Sequence, residues 1–299
     1  TPKHYAYLKI SEGCNHLCSF CAIPLIKGEY ISKPIEKIIN EAKYLASTGV
    51  KEIIIIAQDT TYYGTDLYGE KKLSELLLKL SEIERIEWLR LMYTYPNGFP
   101  KDILKVIASN NNICKYIDIP LQHISDQVLK SMKRGNTKNQ AVDLINMIRN
   151  QIPEVAIRTA FIVGYPNETE EDFRELCDFV KTQKFERVGV FAYSHEDNTS
   201  AYKLKDNLDE DEKQERRNKL MEIQSEISLE NNKKLLKKTI KVIIDEVNKN
   251  IYSGRTQWDA PEVDNSVIIK SSKKMNLGDF YNVKILDKSE YDLFGEVKE

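Results

Sequence analysis

Three of the five cysteines in this 299-residue chain, Cys14, Cys18 and Cys21, fall within the stretch SEGCNHLCSFCAIP, residues 11–24. Thiolates at i, i+4 and i+7 on a tight loop can converge on one metal centre, and two chemistries compete for such a loop. A structural zinc site closes a tetrahedron of four ligands, so it would have to recruit His16, His4 or a remote residue. A cubane iron–sulfur cluster that only carries electrons takes four cysteines, whereas three leave one iron open to a substrate or cofactor. The other two cysteines look ordinary. Cys114 lies just before a strand and Cys177 in FRELCDFV on an amphipathic helix, and both read as buried packing residues.

A loop of this kind needs a scaffold to aim it. Apolar runs alternate with amphipathic segments through the first two hundred residues, which predicts six strand–helix units with strands at 5–10, 52–57, 88–92, 116–119, 155–163 and 187–192. In the helix after the first strand, Ile35, Ile38, Ile39, Ala42 and Leu45 share one face, Ser32 is the expected N-cap and Gly49 the stop. TEED, residues 169–172, is a capping-box pattern. The expected fold class is α/β: an open, six-unit, TIM-like partial (β/α) barrel, with its chemistry at the carboxyl ends of the strands. It spans residues 1–207. A long polar helix without glycine or proline follows, within 208–237. Five short strand-like runs at 238–299 then predict a small antiparallel β-barrel. No internal repeat or low-complexity segment is present.

Composition removes several function classes. The longest apolar runs, such as IIIIA at 53–57, fall far short of the ~20 residues a membrane helix needs, and no amino-terminal signal pattern is present, so a cytoplasmic protein is expected. A formal net charge of −2 gives no generic attraction to a polyanion. An odd cysteine count in a reducing compartment favours metal binding over a disulfide framework.

The strand ends carry the remaining candidates. AQDTTYYGTDLYG, residues 57–69, places Gln58, Asp59 and Tyr62 at the mouth of the barrel, where Gln58 and Asp59 can hydrogen-bond a cofactor or peptide or simply shape a turn. Gln122 and His123 reach the same rim, with Gln122 the better binding candidate, since a lone histidine is more often structural. Arg158 alternates with Ala156 and Ala160 on one face of its strand, so it needs a carboxylate, either from a ligand or from the protein. Gly164 either lets a ligand approach the backbone or serves the turn before the next helix.

The CxxxCxxC spacing, with Phe20 directly before the third cysteine, resembles the radical S-adenosylmethionine (SAM) superfamily. That resemblance implies a 4Fe–4S cluster on Cys14, Cys18 and Cys21, whose open iron is chelated by the amino and carboxylate groups of SAM. It places Phe20 near the adenine and makes Gln58, Gln122, Arg158 and Gly164 further SAM-binding candidates. Together EGCNHLCSFCAIP, AQDTTYYGTDLYG, IPLQHISDQVLKSMKRG, FIVGYPNETEEDF and GRTQWDAPEVD look like the radical SAM methylthiotransferases along nearly the whole chain, with the terminal barrel similar to their TRAM domain. One branch of that family modifies an adenosine of transfer RNA; the other methylthiolates the β-carbon of an aspartate in small-subunit ribosomal protein S-twelve. The 57–69 loop resembles the ribosomal-protein branch, since an Asn-rich GQNVN-like stretch would mark the other.

Charge points the same way. Residues 239–299 hold nine Lys and Arg against eleven Asp and Glu, a balance that suits a basic protein better than RNA. Asp59, Tyr62, Trp258, Asp259, Glu262 and Asp264 are the candidate substrate contacts, the alternative for WDAPEVD being a solvated loop. The resemblance further implies SAM cleavage to a 5′-deoxyadenosyl radical, a second SAM as methyl donor, an electron donor such as flavodoxin or ferredoxin, and a monomer. Family members carry an amino-terminal domain with a second 4Fe–4S cluster. Nothing here matches it, which implies a fragment or processed form lacking that domain. A zinc-stabilised, non-catalytic binding module remains the alternative from another class.

Overall fold

The computed structural model describes residues 2–298; Thr1 and Glu299, the outer ends of the first and last expected segments, lie outside the described residues. Six parallel strands run in chain order: β1 (Tyr5–Lys9), β2 (Glu52–Ile56), β3 (Trp88–Leu91), β4 (Tyr116–Asp118), β5 (Ala156–Val163) and β6 (Arg187–Ala192). They form two three-stranded sheets, β1-β2-β3 and β4-β5-β6. A parallel bridge between Leu89 and Ile113 joins the sheets at the β3–β4 seam. The sheet is open between β1 and β6, as expected of a partial barrel.

Alternation along the strands decides what each face does. Leu8, Ile53, Ile55, Leu89, Ile117, Ile157 and Phe161 point outward and are buried under amphipathic helices. These helices include α1 (Ile35–Ser47), α2 (Leu73–Ser81), α3 (Asp102–Ser109), α4 (Lys138–Gln151) and α5 (Glu170–Gln183). Ile35, Ile38, Ala42 and Ala46 of α1 are buried, at about 1.5–3 kcal/mol for each large apolar side chain. Ser32 is not the cap of α1. That position is Pro34, and the Ser32 hydroxyl donates to Asp66 instead, because the chain first makes a two-residue antiparallel pairing of Ile31–Ser32 with Ser11–Glu12. The capping box at the start of α5 forms, with Thr169 and Asp172 bonding reciprocally.

A 24-residue helix, α6 (Glu210–Lys233), leads to five further strands: β7 (Thr239–Asn248), β8 (Ile251–Arg255), β9 (Val267–Lys270), β10 (Phe280–Lys288) and β11 (Leu293–Val297). They close a barrel in the order β8-β9-β11-β10-β7. It is not wholly antiparallel, since β9 and β11 run parallel.

The small barrel and its 256–264 loop plug the amino-terminal end of the large one. The inward face of β1–β6 there carries Glu52, Arg90, Arg158 and Arg187, groups that cannot be buried unpaired. Glu52 sits fully buried between Arg90 (2.8 Å) and Arg255 of β8 (2.7 Å). Arg255 also bonds Asp245 at 2.6 Å, and His4 Nε2 lies 2.8 Å from the other oxygen of Asp245. Asp259 pairs with Arg187, and Asp264 accepts from the Tyr116 hydroxyl at 2.7 Å and lies 3.5 Å from Arg158. Burial raises the pKa of the Glu52 carboxyl, but the charges and hydrogen bonds of Arg255 and Arg90 outweigh it and leave the group below its ordinary value.

These contacts revise the reading of WDAPEVD. Asp259 and Asp264 are internal ion-pair partners, neither a docking surface nor a solvated loop. Trp258 is half-buried and donates its indole N–H to the Glu154 carbonyl at 2.8 Å. Of the four residues only Glu262 is exposed, and it accepts from the Tyr5 hydroxyl at 3.0 Å. The physical reason is charge: strand arginines facing into the barrel recruit the nearest flexible carboxylates.

Candidate active site

At the opposite, carboxyl end of the strands, the loop after β1 brings Cys14, Cys18 and Cys21 to one cavity of about 170 Å³. Gly13 makes the turn possible: its φ is 76°, and an added Cβ would stand 2.0 Å from the Glu29 carbonyl oxygen. The loop is tied down by the Ser19 N–H to the Met132 carbonyl (3.0 Å) and the Ser19 hydroxyl to the Ser131 carbonyl (2.9 Å).

Each sulfur receives an N–H donor. His16 N–H lies 3.4 Å from Cys14 Sγ, Ile23 N–H 3.5 Å from Cys21 Sγ, and Arg134 Nη1 3.4 Å from Cys18 Sγ. Burial pushes the Cys14 and Cys21 thiols up, a cost that iron ligation removes by displacing the proton. Arg134 is only 5% exposed and, among the described residues, pairs with no carboxylate. A buried guanidinium that donates to Cys18 in a cavity shared with Cys14 and Cys21 calls for an anion there, and thiolates bound to a cluster supply it.

Zinc fits less well. The Nε2 atoms of the two candidate fourth ligands face carboxylates, His16 at 2.7 Å from Asp59 and His4 from Asp245 at the far end of the barrel. Among the described residues no three His, Cys, Asp or Glu side chains are grouped to hold a single ion. Sulfurs on one zinc lie within about 4 Å of one another, while those on separate irons of a cubane stand further apart.

The cavity collects some of the expected residues and not others. Phe20, Gln58 and Gln122 line it, and Gln58 Oε1 is buried without a hydrogen-bond partner. Arg158 is elsewhere, bonded to Asp118 at 2.9 Å in the ion-pair layer. Gly164 does not line the cavity either. Its φ of 73° serves close packing on α6, where an added Cβ would meet Lys213 Cγ at 2.3 Å. Asp59 is buried beneath the rim, accepting from the Thr61 N–H at 2.8 Å and facing His16. Tyr62 is half-buried with its ring 5.0 Å from that of Tyr30. His123 is buried against Glu168, 3.4 Å away, and Cys114 and Cys177 are buried away from the cavity.

Several cavity residues had escaped the sequence reading, among them Tyr93, Thr94, Tyr95 and Arg134. Arg134 and Tyr95 line it together, with the guanidinium carbon 4.3 Å from the Tyr95 ring centroid. In the sequence Arg134 sits in KRGNTK, which looks like any solvated turn. The amphipathic SDQVLKSM segment before it, which buries Val128, Leu129 and Met132, was the available sign that the turn is held against the core.

The Radical SAM superfamily profile matches residues 8–180, and the TRAM domain profile residues 238–297. Across 297 residues the chain is 53% identical to the ribosomal protein uS12 methylthiotransferase RimO of Flavobacterium johnsoniae, covering 99% of this chain and 68% of that one. The chain belongs to the RimO family of radical SAM methylthiotransferases. The RimO proteins of Clostridioides difficile and Bacteroides fragilis are 49% and 48% identical, again over 99% of this chain and over 67% and 69% of theirs. The chain thus spans about two thirds of the length of these RimO relatives. Among solved structures, the coproporphyrinogen III oxidase HemN of Escherichia coli superposes with a TM-score of 0.58 at 14% identity, over 86% of this chain and 67% of that one. Methylornithine synthase PylB gives 0.52 at 15% identity, over 74% and 62%. At those identities the likeness is one of fold, the open TIM-like barrel. RimO-family membership makes a 4Fe–4S cluster and SAM the cofactors of a radical SAM methylthiotransferase.

Proposed function

We propose that this chain carries the SAM-cleaving and substrate-binding machinery for methylthiolation of an aspartate in ribosomal protein uS12. In this reading Cys14, Cys18 and Cys21 hold the 4Fe–4S cluster, and Phe20, Gln58 and Gln122 bind SAM beside it. The observation that carries it is the buried Arg134, which among the described residues pairs with no carboxylate, donates to Cys18 and lines one cavity with all three cysteines. When bound, the cluster supplies the electron that breaks a carbon–sulfur bond of SAM, opening radical chemistry at an unactivated carbon.

The chain's own residues bind, orient and exclude. Gln58 Oε1, buried and unpaired, offers an acceptor to a SAM N–H or O–H. Phe20 presents a ring to the adenine, backed by the buried Val128, Met132, Tyr165 and Tyr193. Arg134 offers its charge to anionic groups in the cavity. The plug at the other end of the barrel keeps water from entering beneath the site, and water exclusion protects reactive intermediates. Arg158 keeps to its structural role beside Asp118 and Asp264.

The acidic balance of the small barrel supports a basic protein partner. The wider setting proposed is a cytoplasmic monomer reduced by a low-potential donor such as flavodoxin or ferredoxin. Among the described residues no helix is long and apolar enough to cross a membrane. Because Cys114 and Cys177 are buried away from the cavity, residues 1–299 alone are expected to cleave SAM without completing methylthio transfer.

Iron and zinc analysis with an ultraviolet–visible spectrum, on anaerobically prepared protein and its Cys18→Ala variant, tests the reading. About four irons per chain with broad absorbance near 400 nm, lost in the variant, is the expected result. About one zinc and no colour after reconstitution with iron and sulfide would overturn it.

A further inference from the structure

The three N–H donors at the cluster loop differ in kind. Those at Cys14 and Cys21 are backbone amides, fixed by the fold, whereas the one at Cys18 comes from a side chain and carries a full positive charge. Its placement is over-determined. Arg134 Nη2 donates to the Pro120 carbonyl at 2.6 Å, and the guanidinium lies over one face of the Tyr95 ring. The Tyr95 hydroxyl donates back to the Arg134 carbonyl at 2.7 Å and lies 3.9 Å from Cys18 Sγ. His16 stacks on Tyr95 with centroids 3.7 Å apart and planes 10° from parallel, and is itself held at Asp59. One stack, His16 on Tyr95 on Arg134, therefore reaches two of the three sulfurs, at Cys14 through the His16 amide and at Cys18 through the guanidinium.

The geometry points to Arg134 as the residue that sets the reduction potential of the cluster, with Tyr95 as its positioning residue. The inference rests on the cluster reading above and adds to it a property of one side chain. Reduction adds one electron, hence one negative charge, to a centre whose potential responds to net charge and to hydrogen bonds at its sulfurs. A buried cation donating to Cys18 favours that extra charge. Burial keeps water from screening the effect, and the carboxylate nearest the stack, Asp59, is occupied by His16 and Thr61.

The test is an electron-paramagnetic-resonance redox titration with dithionite, without SAM, on the reconstituted protein and its Arg134→Gln, Arg134→Lys and Tyr95→Phe variants. Iron content and melting temperature are measured alongside. For Arg134→Gln the midpoint should become more negative, so that the reduced fraction at a fixed low poise falls about tenfold, equivalent to about 59 mV for one electron. Arg134→Lys, which keeps the charge, should recover at least half of that shift, and Tyr95→Phe should move the midpoint less, in the same direction. An unmoved midpoint in Arg134→Gln at wild-type iron content would overturn the inference, as would equal shifts in the Gln and Lys variants. If Arg134→Gln sheds its iron, Tyr95→Phe decides: a negative shift supports the assignment and none overturns it. A wild-type protein that forms no cluster would remove the underlying reading as well, whereas a cluster with insensitive midpoints removes only this inference.

Discussion

The two ends of the large barrel treat buried positive charge in opposite ways. At the base, Arg90, Arg158, Arg187 and Arg255 each face a carboxylate of this same chain, and Glu52 serves two of them. At the rim, Arg134 is as deeply buried and, among the described residues, meets sulfur, a carbonyl and an aromatic ring but no carboxylate. A chain that neutralises its own arginines has built a permanent joint. One that leaves an arginine unneutralised has kept room for an anionic ligand. Electrostatic completeness thus separates the structural end from the functional end, although both use arginine, tyrosine and carboxylates.

The sharpest way to break this comparison is to remove a rim ligand. Cys18→Ala should abolish iron loading entirely while shifting the urea midpoint of the metal-free protein little. A collapse of the metal-free fold would show that the rim also holds the structure together. At the base the expectation is reversed. Glu52→Gln leaves two buried guanidiniums short of their counter-charge and should cost about 3–5 kcal/mol in urea unfolding, with iron bound normally by whatever fraction stays folded.

The same carboxylate makes stability depend on pH. The folded-state pKa of Glu52 lies below its unfolded value, as do those of Asp245 and Glu168. Their contribution is therefore complete above the unfolded values of 3.8 to 4.5 and is lost as pH falls through the depressed ones. Thermal melts of wild type should drop steeply below about pH 4, and those of Glu52→Gln less so; parallel curves would remove Glu52 from the account.

Gly13→Ala sharpens the rim further. A methyl group at 2.0 Å from a backbone oxygen, on a residue with φ of 76°, should cost about 1–3 kcal/mol and displace Cys14. Iron retention after gel filtration is the readout, and full retention would mean that the loop has slack. The smallest effect belongs to an exposed contact between the two barrels. Lys51→Ala, which removes the half-exposed pair with Asp279, should change stability by about 0–1 kcal/mol and iron content not at all.

Much of this was legible in the sequence, because periodicity is a local property. The six inner strands fall within a residue or so of where apolar runs place them, and the capping box at Thr169 is written in four consecutive letters. The three cysteines announce the rim by spacing alone. What stayed hidden was long-range pairing. The strand alternation showed that Arg158 must meet a carboxylate, but nothing in the sequence chose between a ligand and Asp118. WDAPEVD looked like an exposed acidic loop because its arginine partners lie far off in the chain, Arg187 72 residues before Asp259 and Arg158 still further from Asp264, on strands whose inner face only the fold defines. Ser32 had a cap's chemistry but was claimed by Asp66, and Arg134 had a surface residue's context but was folded inward.

The joint at the base also has a consequence for protein engineering. The small barrel is not an exchangeable cassette, since a graft that left out residues 245 to 264 would strand Arg187 without Asp259 and deprive Arg90 of the Gln257 carbonyl that it bonds beside Glu52. Library designs meant to redirect partner choice have to leave that segment fixed. They can vary the outward positions instead, where Leu277, Leu286 and Phe294 stand exposed.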